Sequence, residues 1–189
     1  MRALLLMALV SGQSPTVGEK MVTHARTFLG APYVFGGRSG EGLDCMGTVF
    51  AAAEGVQRCG WKSFSVFPST LRTDRSLGAS VEGLSPVASD KLDVTWLAAG
   101  DVLMLVEKTE NPREPAIGEL DGHPVWVWHM GLYSGDGKWI VGDHFAGQVV
   151  ETDLVAYLKE HADTYEGLWV LRPAKVAPTK CRRHAPMKR

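Results

Sequence analysis

The chain reads GLDCMGTVFAAAEGV over residues 42–56, and this stretch decides how the rest of the sequence is interpreted. Asp44 is a residue type that caps helices, and the small and apolar residues after it predict a helix over residues 45–56. The free N–H groups and the dipole at the start of a helix favour a thiolate and can hold an oxyanion during acyl transfer. We therefore take Cys45 as a candidate nucleophile.

A thiol nucleophile needs a base that takes its proton and later protonates the leaving group. His129 lies in a predicted strand over residues 125–133 and is the candidate base. The base in turn needs a polar partner that orients it, and Asp143 and His144 follow on the next predicted strand. Each of these residue types alone is more often a packed or structural residue, so the assignment depends on the sequence around them.

The order of the predicted elements indicates an α+β fold. A helix capped at Ser14-Pro15 is expected to run to Phe28, and another to follow Asp153. Residues 61–90 are interpreted as irregular, with one short helix near residues 69–75. The predicted strands cover residues 101–106, 125–133, 138–143, 148–151 and 167–171. Helices followed by an antiparallel meander favour helices packed on one side of a sheet.

Five blocks of sequence carry a family resemblance, and they follow one another in the family's order. They read ARTFLGAPYVFGGRS (25–39), GLDCMG (42–47), AAGDV (98–102), HMGLYSGDG (129–137) and WVLRP (169–173). The first two resemble the opening "A-x-x-x-L-G-x-P-Y-x-x-G-G … G-x-D-C-S-G" of the NlpC/P60 family of cysteine peptidases. The fourth is similar to that family's "H-V-G-I-Y-x-G-x-G" hairpin.

The resemblance implies a papain-like α+β fold with N-terminal helices packed on a central antiparallel sheet. It also implies attack of a thiolate on an amide, most often in bacterial cell-wall peptides and commonly between D-glutamate and a diamino acid. On this interpretation Cys45 is the nucleophile and His129 the base. Tyr33 lines the site, and Asp44 helps to recognise a substrate amine. No cofactor is implied, and the spacing of the candidate residues matches no common zinc site.

Two positions depart from the family pattern. Met46 stands where the family usually has Ser, so a substrate amine would be held differently at this position. The family's third polar residue corresponds to Val141, which cannot orient an imidazole. Alternation along the strand puts Asp143 on the same face as Val141 and His144 on the other, and a bulge at Gly142 would exchange them. We favour His144 as the third catalytic residue, because the family commonly has an imidazole there, with Asp143 as the alternative.

Three hypotheses about function follow from these residues. The first is an exported cysteine peptidase or amidase that acts on peptidoglycan stem peptides. The second is a thiol hydrolase or acyltransferase of the same fold that acts on lipids or on other amides and esters. The third is a non-catalytic binding module. Residues 107–124 are expected to form a long loop inside a hairpin, and this loop could wall the substrate cleft.

The ends of the chain and its charge bear on location and partners. Residues 1–13 have the layout of a short signal peptide, which predicts a secreted or periplasmic protein; a buried N-terminal strand or helical turn is the alternative. A catalytic domain over 14–175 and a basic tail over 176–189 would follow. The formal net charge of -1 produces no overall electrostatic field that would attract nucleic acid. No segment after residue 13 is apolar enough to cross a membrane. The sequence identifies no protein inhibitor or adaptor.

The chain has three cysteines. In an exported protein an odd number suggests one bridge and one free thiol. We predict a Cys59–Cys181 disulfide, because both residues lie outside any chemical motif, whereas Cys45 lies inside one. Both would be free thiols in a cytosolic protein.

Overall fold

The computed structural model describes residues 14–57 and 61–173. The predicted signal peptide, the basic tail and the Cys59–Cys181 disulfide therefore lie outside the described residues. The α-helices are α1 (Val17–Ala25), α2 (Cys45–Gln57), α3 (Pro68–Asp74) and α4 (Leu154–Glu160), with short 3-10 helices at Arg26–Phe28, Trp61–Ser63, Ser89–Lys91 and Val94–Trp96. None of the helices described is long and apolar enough to cross a membrane.

Ten strands accompany these helices. They are β1 (Arg38–Ser39), β2 (Gly42–Leu43), β3 (Ala79–Ser80), β4 (Val87–Ala88), β5 (Val102–Glu107), β6 (Gly118–Leu120), β7 (His123–Gly135), β8 (Lys138–Asp143), β9 (Gln148–Asp153) and β10 (Gly167–Arg172). The main sheet has the order β3-β10-β5-β7-β8-β9, and β4 also pairs with β10. All of these pairings are antiparallel, so the predicted meander is confirmed.

Side-chain caps fix where the helices begin. The Asp44 carboxylate accepts a hydrogen bond of 2.6 Å from the Gly47 N–H, which confirms the predicted start of α2. The start of α1 differs from the prediction. Thr16, rather than Ser14, is the N-cap, because Thr16 and Glu19 form a reciprocal capping box.

The region between β5 and β7 is more ordered than the sequence suggested. Residues 118–120 form β6, which pairs with the start of β7 from Gly118–Val125 to Leu120–His123. Asp121 and Gly122, both with positive φ (51° and 78°), make the tight turn between them. The predicted long loop is therefore partly a hairpin, and β7 begins at His123 rather than at residue 125.

Helices cover both faces of the sheet, which corrects the expectation that they pack on one side. Successive residues of a strand point to opposite faces. Met130 of β7 packs into the core formed with α1 and α2, whereas Tyr133 of β7 and Trp139 of β8 pack into a second core. Tyr157 and Leu158 of α4 belong to this second core, so α4 covers the face opposite to α2.

The first turn of α2 lies against the point where β7 and β8 separate. Pairing between these strands runs from Gly135–Lys138 to Leu132–Ile140, and the described pairs do not continue to Gly142. A Cβ atom on Gly142 would lie 2.6 Å from the backbone oxygen of Asp44. Only glycine allows the helix to approach β8 so closely, and this approach fixes the position of Cys45.

We expect Gly142→Ala to lower the free energy of unfolding by about 1–3 kcal/mol, because the added methyl group forces the start of α2 away from β8. Gly40→Ala is the matched control, since a Cβ there meets no atom within 4 Å and its backbone lies outside the left-handed region. Urea unfolding of both variants measures the difference. Equal stabilities would show that α2 does not depend on this contact.

Candidate active site

Cys45 is the first residue of α2, and its sulfur lies between the two cores. The residue is half-buried and packs against both core clusters. The backbone N–H groups of Met130 and Met46 face the sulfur, and with Arg38 they favour the thiolate. Burial, followed by the charge of Asp44, outweighs them and raises the pKa of the thiol to about 12. The backbone N–H groups thus act in the predicted direction, but burial outweighs them and favours the neutral thiol in the resting site.

Asp44 is buried and its carboxylate is already engaged. It accepts hydrogen bonds from the N–H groups of Gly36 (2.9 Å) and Gly47 (2.6 Å), and the Arg38 guanidinium pairs with it. These contacts hold the glycine-rich loop to the start of α2. A substrate amine would have to displace Arg38 in order to reach this carboxylate.

His129 lies on the face of β7 that α4 covers, and it is only 3% exposed. Its ring stacks on Tyr165 and Tyr157, with centroid distances of 5.8 and 6.2 Å, and it meets Trp139 edge-on at 5.9 Å. Burial, assisted by His144 and His161, lowers the pKa of the imidazole to about 3. The ring is therefore neutral at neutral pH and can accept a proton.

Shared neighbours bring Cys45 and His129 to the same place. The N–H of Met130, the residue directly after His129, faces the Cys45 sulfur. A thiolate at Cys45 would add to the rise in the phenol pKa of Tyr157 and Tyr165, after burial and after the larger charge effects of Asp143 and Glu107, respectively. The same two rings stack on His129. Cys45 thus lies against the backbone of β7 at the residue that follows His129, and the two predicted residues share aromatic neighbours.

The two candidates for the third residue, Asp143 and His144, differ in their burial and in the groups that they contact. β8 and β9 pair without a register shift through Gly142, so the bulge that would exchange Asp143 and His144 is not formed. Asp143 is buried, and its carboxylate accepts a hydrogen bond of 2.9 Å from the Phe145 N–H. His144 is exposed, and its ring lies 5.9 Å from that of His129 at 90°.

Nε2 of His129 is buried and has no hydrogen-bond partner among the described residues. Neither Asp143 nor His144 therefore hydrogen bonds to this nitrogen. Val141, at the position of the family's third residue, is fully buried in the α4-side core and has no polar group to offer.

The two remaining predicted residues lie at the edge of the site. Tyr33 is half-buried, and its ring lies 6.1 Å from that of His144. Burial, followed by the charges of Cys45 and Asp44, raises the pKa of Tyr33 to about 12. Met46 is half-buried and packs against the core on the α2 side. No group of three potential metal ligands occurs within residues 14–57 and 61–173.

The sequence analysis missed the aromatic cover over His129. Tyr157, His161 and Tyr165 follow one another at intervals of four residues, and their rings are in contact, with centroid distances of 4.4 and 6.2 Å. Phe145 stacks on His161 at 4.5 Å. A spacing of four along a helix and its continuation places residues on one face, and this was the available signal. The sequence does not indicate which part of the sheet that face covers.

Comparisons with known proteins identify the fold. No protein-family model matches the chain, and no curated protein matches its sequence. NlpC1 from Trichomonas vaginalis matches in structure with a TM-score of 0.57 and 18% identity, over 86% of this chain and 46% of that chain. The chain thus spans about half the length of that protein.

Two further solved structures match at similar levels. The NlpC/P60 domain of the peptidoglycan hydrolase SagA has a TM-score of 0.50 and 18% identity, over 82% of this chain and 97% of that chain. The peptidoglycan hydrolase RipB from Mycobacterium tuberculosis has a TM-score of 0.51 and 20% identity, over 85% of this chain and 66% of that chain. The chain therefore has the fold of NlpC/P60 domains, and the predicted papain-like α+β architecture is confirmed.

The buried neutral His129 makes stability depend on pH. Its pKa is about 3 in the folded chain against an ordinary 6.5, so below pH 6.5 only the unfolded chain takes up this proton. The contribution of the neutral His129 ring to the free energy of unfolding is complete above pH 6.5 and is lost as the pH falls toward 3. We expect His129→Gln to reduce the loss of unfolding free energy between pH 7 and about pH 4.5 by on the order of 2 kcal/mol.

Urea unfolding at the two pH values checks this expectation. The control is His123→Gln, which removes an exposed histidine. A pH dependence that is the same in His129→Gln and in the wild type would contradict a neutral buried imidazole.

The raised pKa of Cys45 predicts slow alkylation. In the native protein, we expect the rate of Cys45 modification by iodoacetamide to be well below that in urea at pH 7.5. It should also rise with pH through pH 10 without a plateau, because the thiolate is the reactive form. Peptide mapping by mass spectrometry separates Cys45 from the other two cysteines. A plateau near neutral pH would instead reveal a stable thiolate.

Proposed function

We propose that the chain is a member of the NlpC/P60 family and a cysteine peptidase or amidase that hydrolyses an amide bond in bacterial cell-wall peptides. The observation that carries the proposal is the position of the Cys45 sulfur, which lies at the start of α2 and meets the backbone N–H of Met130, the residue that follows His129 on β7. A thiol, an adjacent base and free backbone N–H groups are the components that acyl transfer requires.

The reaction follows from the protonation states of the two residues. Both are neutral at rest, so His129 removes the thiol proton as the sulfur attacks the substrate carbonyl. The N–H groups at the start of α2 stabilise the negative charge that develops on the carbonyl oxygen. The imidazolium then protonates the departing amine, which leaves a thioester on Cys45. Water, deprotonated by His129, hydrolyses the thioester and restores the thiol.

The substrate class is supported by the structural neighbours. SagA and RipB are named as peptidoglycan hydrolases, and both share this fold. We infer that the substrate is a peptidoglycan stem peptide, with the bond between D-glutamate and a diamino acid as the first to test. A secreted or periplasmic location, reached through the signal peptide predicted over residues 1–13, fits such a substrate.

One observation favours a second candidate, an acyltransferase or hydrolase that acts on lipids. The Asp44 carboxylate, the expected site for a substrate amine, is engaged by Arg38. Phe145, which is 61% exposed, contacts the ring of His144 at a centroid distance of 3.8 Å, and Phe35, which is 90% exposed, follows Tyr33 by two residues. Exposed apolar residues beside a nucleophile suit an acyl chain better than a charged peptide.

Incubation of the protein with purified stem peptides, followed by mass spectrometry of the products, tests the proposal. We expect the wild type to cleave them and Cys45→Ala to lose the activity by at least about 10³-fold, because the nucleophile is removed. His129→Ala should be similarly impaired, whereas His123→Gln should retain activity. A parallel incubation uses a long-chain acyl ester. Cleavage of the ester with intact stem peptides would overturn the peptidase assignment in favour of the lipid reaction.

A further inference from the structure

Three buried side chains at the proposed active site each carry a polar atom that has no hydrogen-bond partner in the part of the chain that the structure describes. These atoms are Nε2 of His129, Nε1 of Trp139 and the hydroxyl oxygen of Tyr157. The three residues are 3%, 0% and 5% exposed. A buried polar atom that stays unpaired costs about 1–3 kcal/mol, so three such atoms in one place require a common explanation.

The three side chains pack against each other. The ring centroids of Trp139 and Tyr157 are 4.8 Å apart, and those of His129 lie 5.9 Å from Trp139 and 6.2 Å from Tyr157. His129 comes from β7, Trp139 from β8 and Tyr157 from α4, so the cluster lies where the helix meets the two strands.

The donors and acceptors of the cluster complement a single water molecule. An indole N–H can only donate, whereas a phenol can donate and accept. Burial raises the pKa of the Tyr157 phenol, which therefore keeps its proton. A water molecule can accept from Trp139 Nε1–H and from a protonated Nε2 of His129, and it can donate to the Tyr157 oxygen. Buried waters typically make about three hydrogen bonds of this kind.

This arrangement selects one tautomer of the base. Nε2 has no partner, so Nδ1 is the nitrogen left to take the proton of Cys45. Nδ1 can accept that proton only if the neutral ring carries its own proton on Nε2, and Nε2–H then needs an acceptor. Val141, Asp143 and His144 supply none to this atom.

We propose that a water molecule bound between Trp139, Tyr157 and Nε2 of His129 orients the imidazole, which makes Trp139 and Tyr157 positioning residues for the base. The inference rests on the proposed function, in which His129 takes the proton of Cys45. The bound water orients the imidazole by accepting the hydrogen bond from Nε2–H, which is the role that a polar side chain at position 141 would have.

Tyr157→Phe tests the proposal because it keeps the ring and removes only the hydroxyl. We expect kcat for stem-peptide cleavage to fall on the order of tenfold to a hundredfold, with KM little changed, because the base loses its orientation and not the substrate contacts. Tyr133→Phe is the matched control. Tyr133 belongs to the same core, but its hydroxyl accepts a hydrogen bond from the Gly137 N–H at the far end of the hairpin, so kcat should stay within about twofold.

Two measurements separate this inference from the proposed function, since neither needs activity. In wild-type protein, ¹⁵N chemical shifts of His129 should report the Nε2–H tautomer, and Tyr157→Phe should give a mixture while Tyr133→Phe should not. A high-resolution crystal structure should show a water peak within hydrogen-bond distance of all three atoms. A missing peak, or a tautomer unchanged in Tyr157→Phe, overturns the positioning role, whereas intact stem peptides in the wild type overturn only the proposed reaction.

Discussion

The contact between the first turn of α2 and β8 is the constraint on which the site depends. Gly142 lets the backbone of Asp44 approach β8 where its pairing with β7 has ended. The Cys45 sulfur can therefore meet the Met130 N–H and pack against both cores. In an unbroken sheet the strands would separate a residue on the α2 side from one on the α4 side. In the proposed reaction, this local opening of the sheet is what lets a thiol from one layer act with an imidazole from the other.

Burial shifts both Cys45 and His129 toward their neutral forms. Burial favours the neutral thiol, against the backbone N–H groups and Arg38 that favour the thiolate. Burial also favours the neutral imidazole, and His144 and His161 act in the same direction. A resting ion pair would require partners that stabilise both charges, and the aromatic cover of His129 supplies none. In the proposed reaction, proton transfer therefore accompanies the attack itself, when the substrate carbonyl begins to carry charge near the helix start.

Local patterns in the sequence were sufficient for much of the fold. The caps at Asp44 and Asp153 and the hairpin that includes residues 129–137 act over a few residues, and each lies where it was predicted. The start of α1 was wrong by a few residues because Thr16 and Glu19 form a stronger cap than Ser14. β6 and the side on which α4 packs could not be predicted, since both depend on which distant strand a segment meets. For the same reason the sequence indicated candidate nucleophile and base residues but not their burial.

The apolar residue at position 141 and the aromatic cover of His129 have one physical origin. α4 packs on this face through Leu154, Tyr157 and Leu158, and a helix can do so only on strand residues that need no solvent. A polar side chain at position 141 would lie under the helix and would itself require a buried partner. Val141 avoids that requirement, but it leaves Nε2 of His129 without a neighbour from the strand. In the proposed arrangement the partner of the base is then a water molecule, held by the residues that bury the imidazole, namely Trp139 beneath the helix and Tyr157 on it.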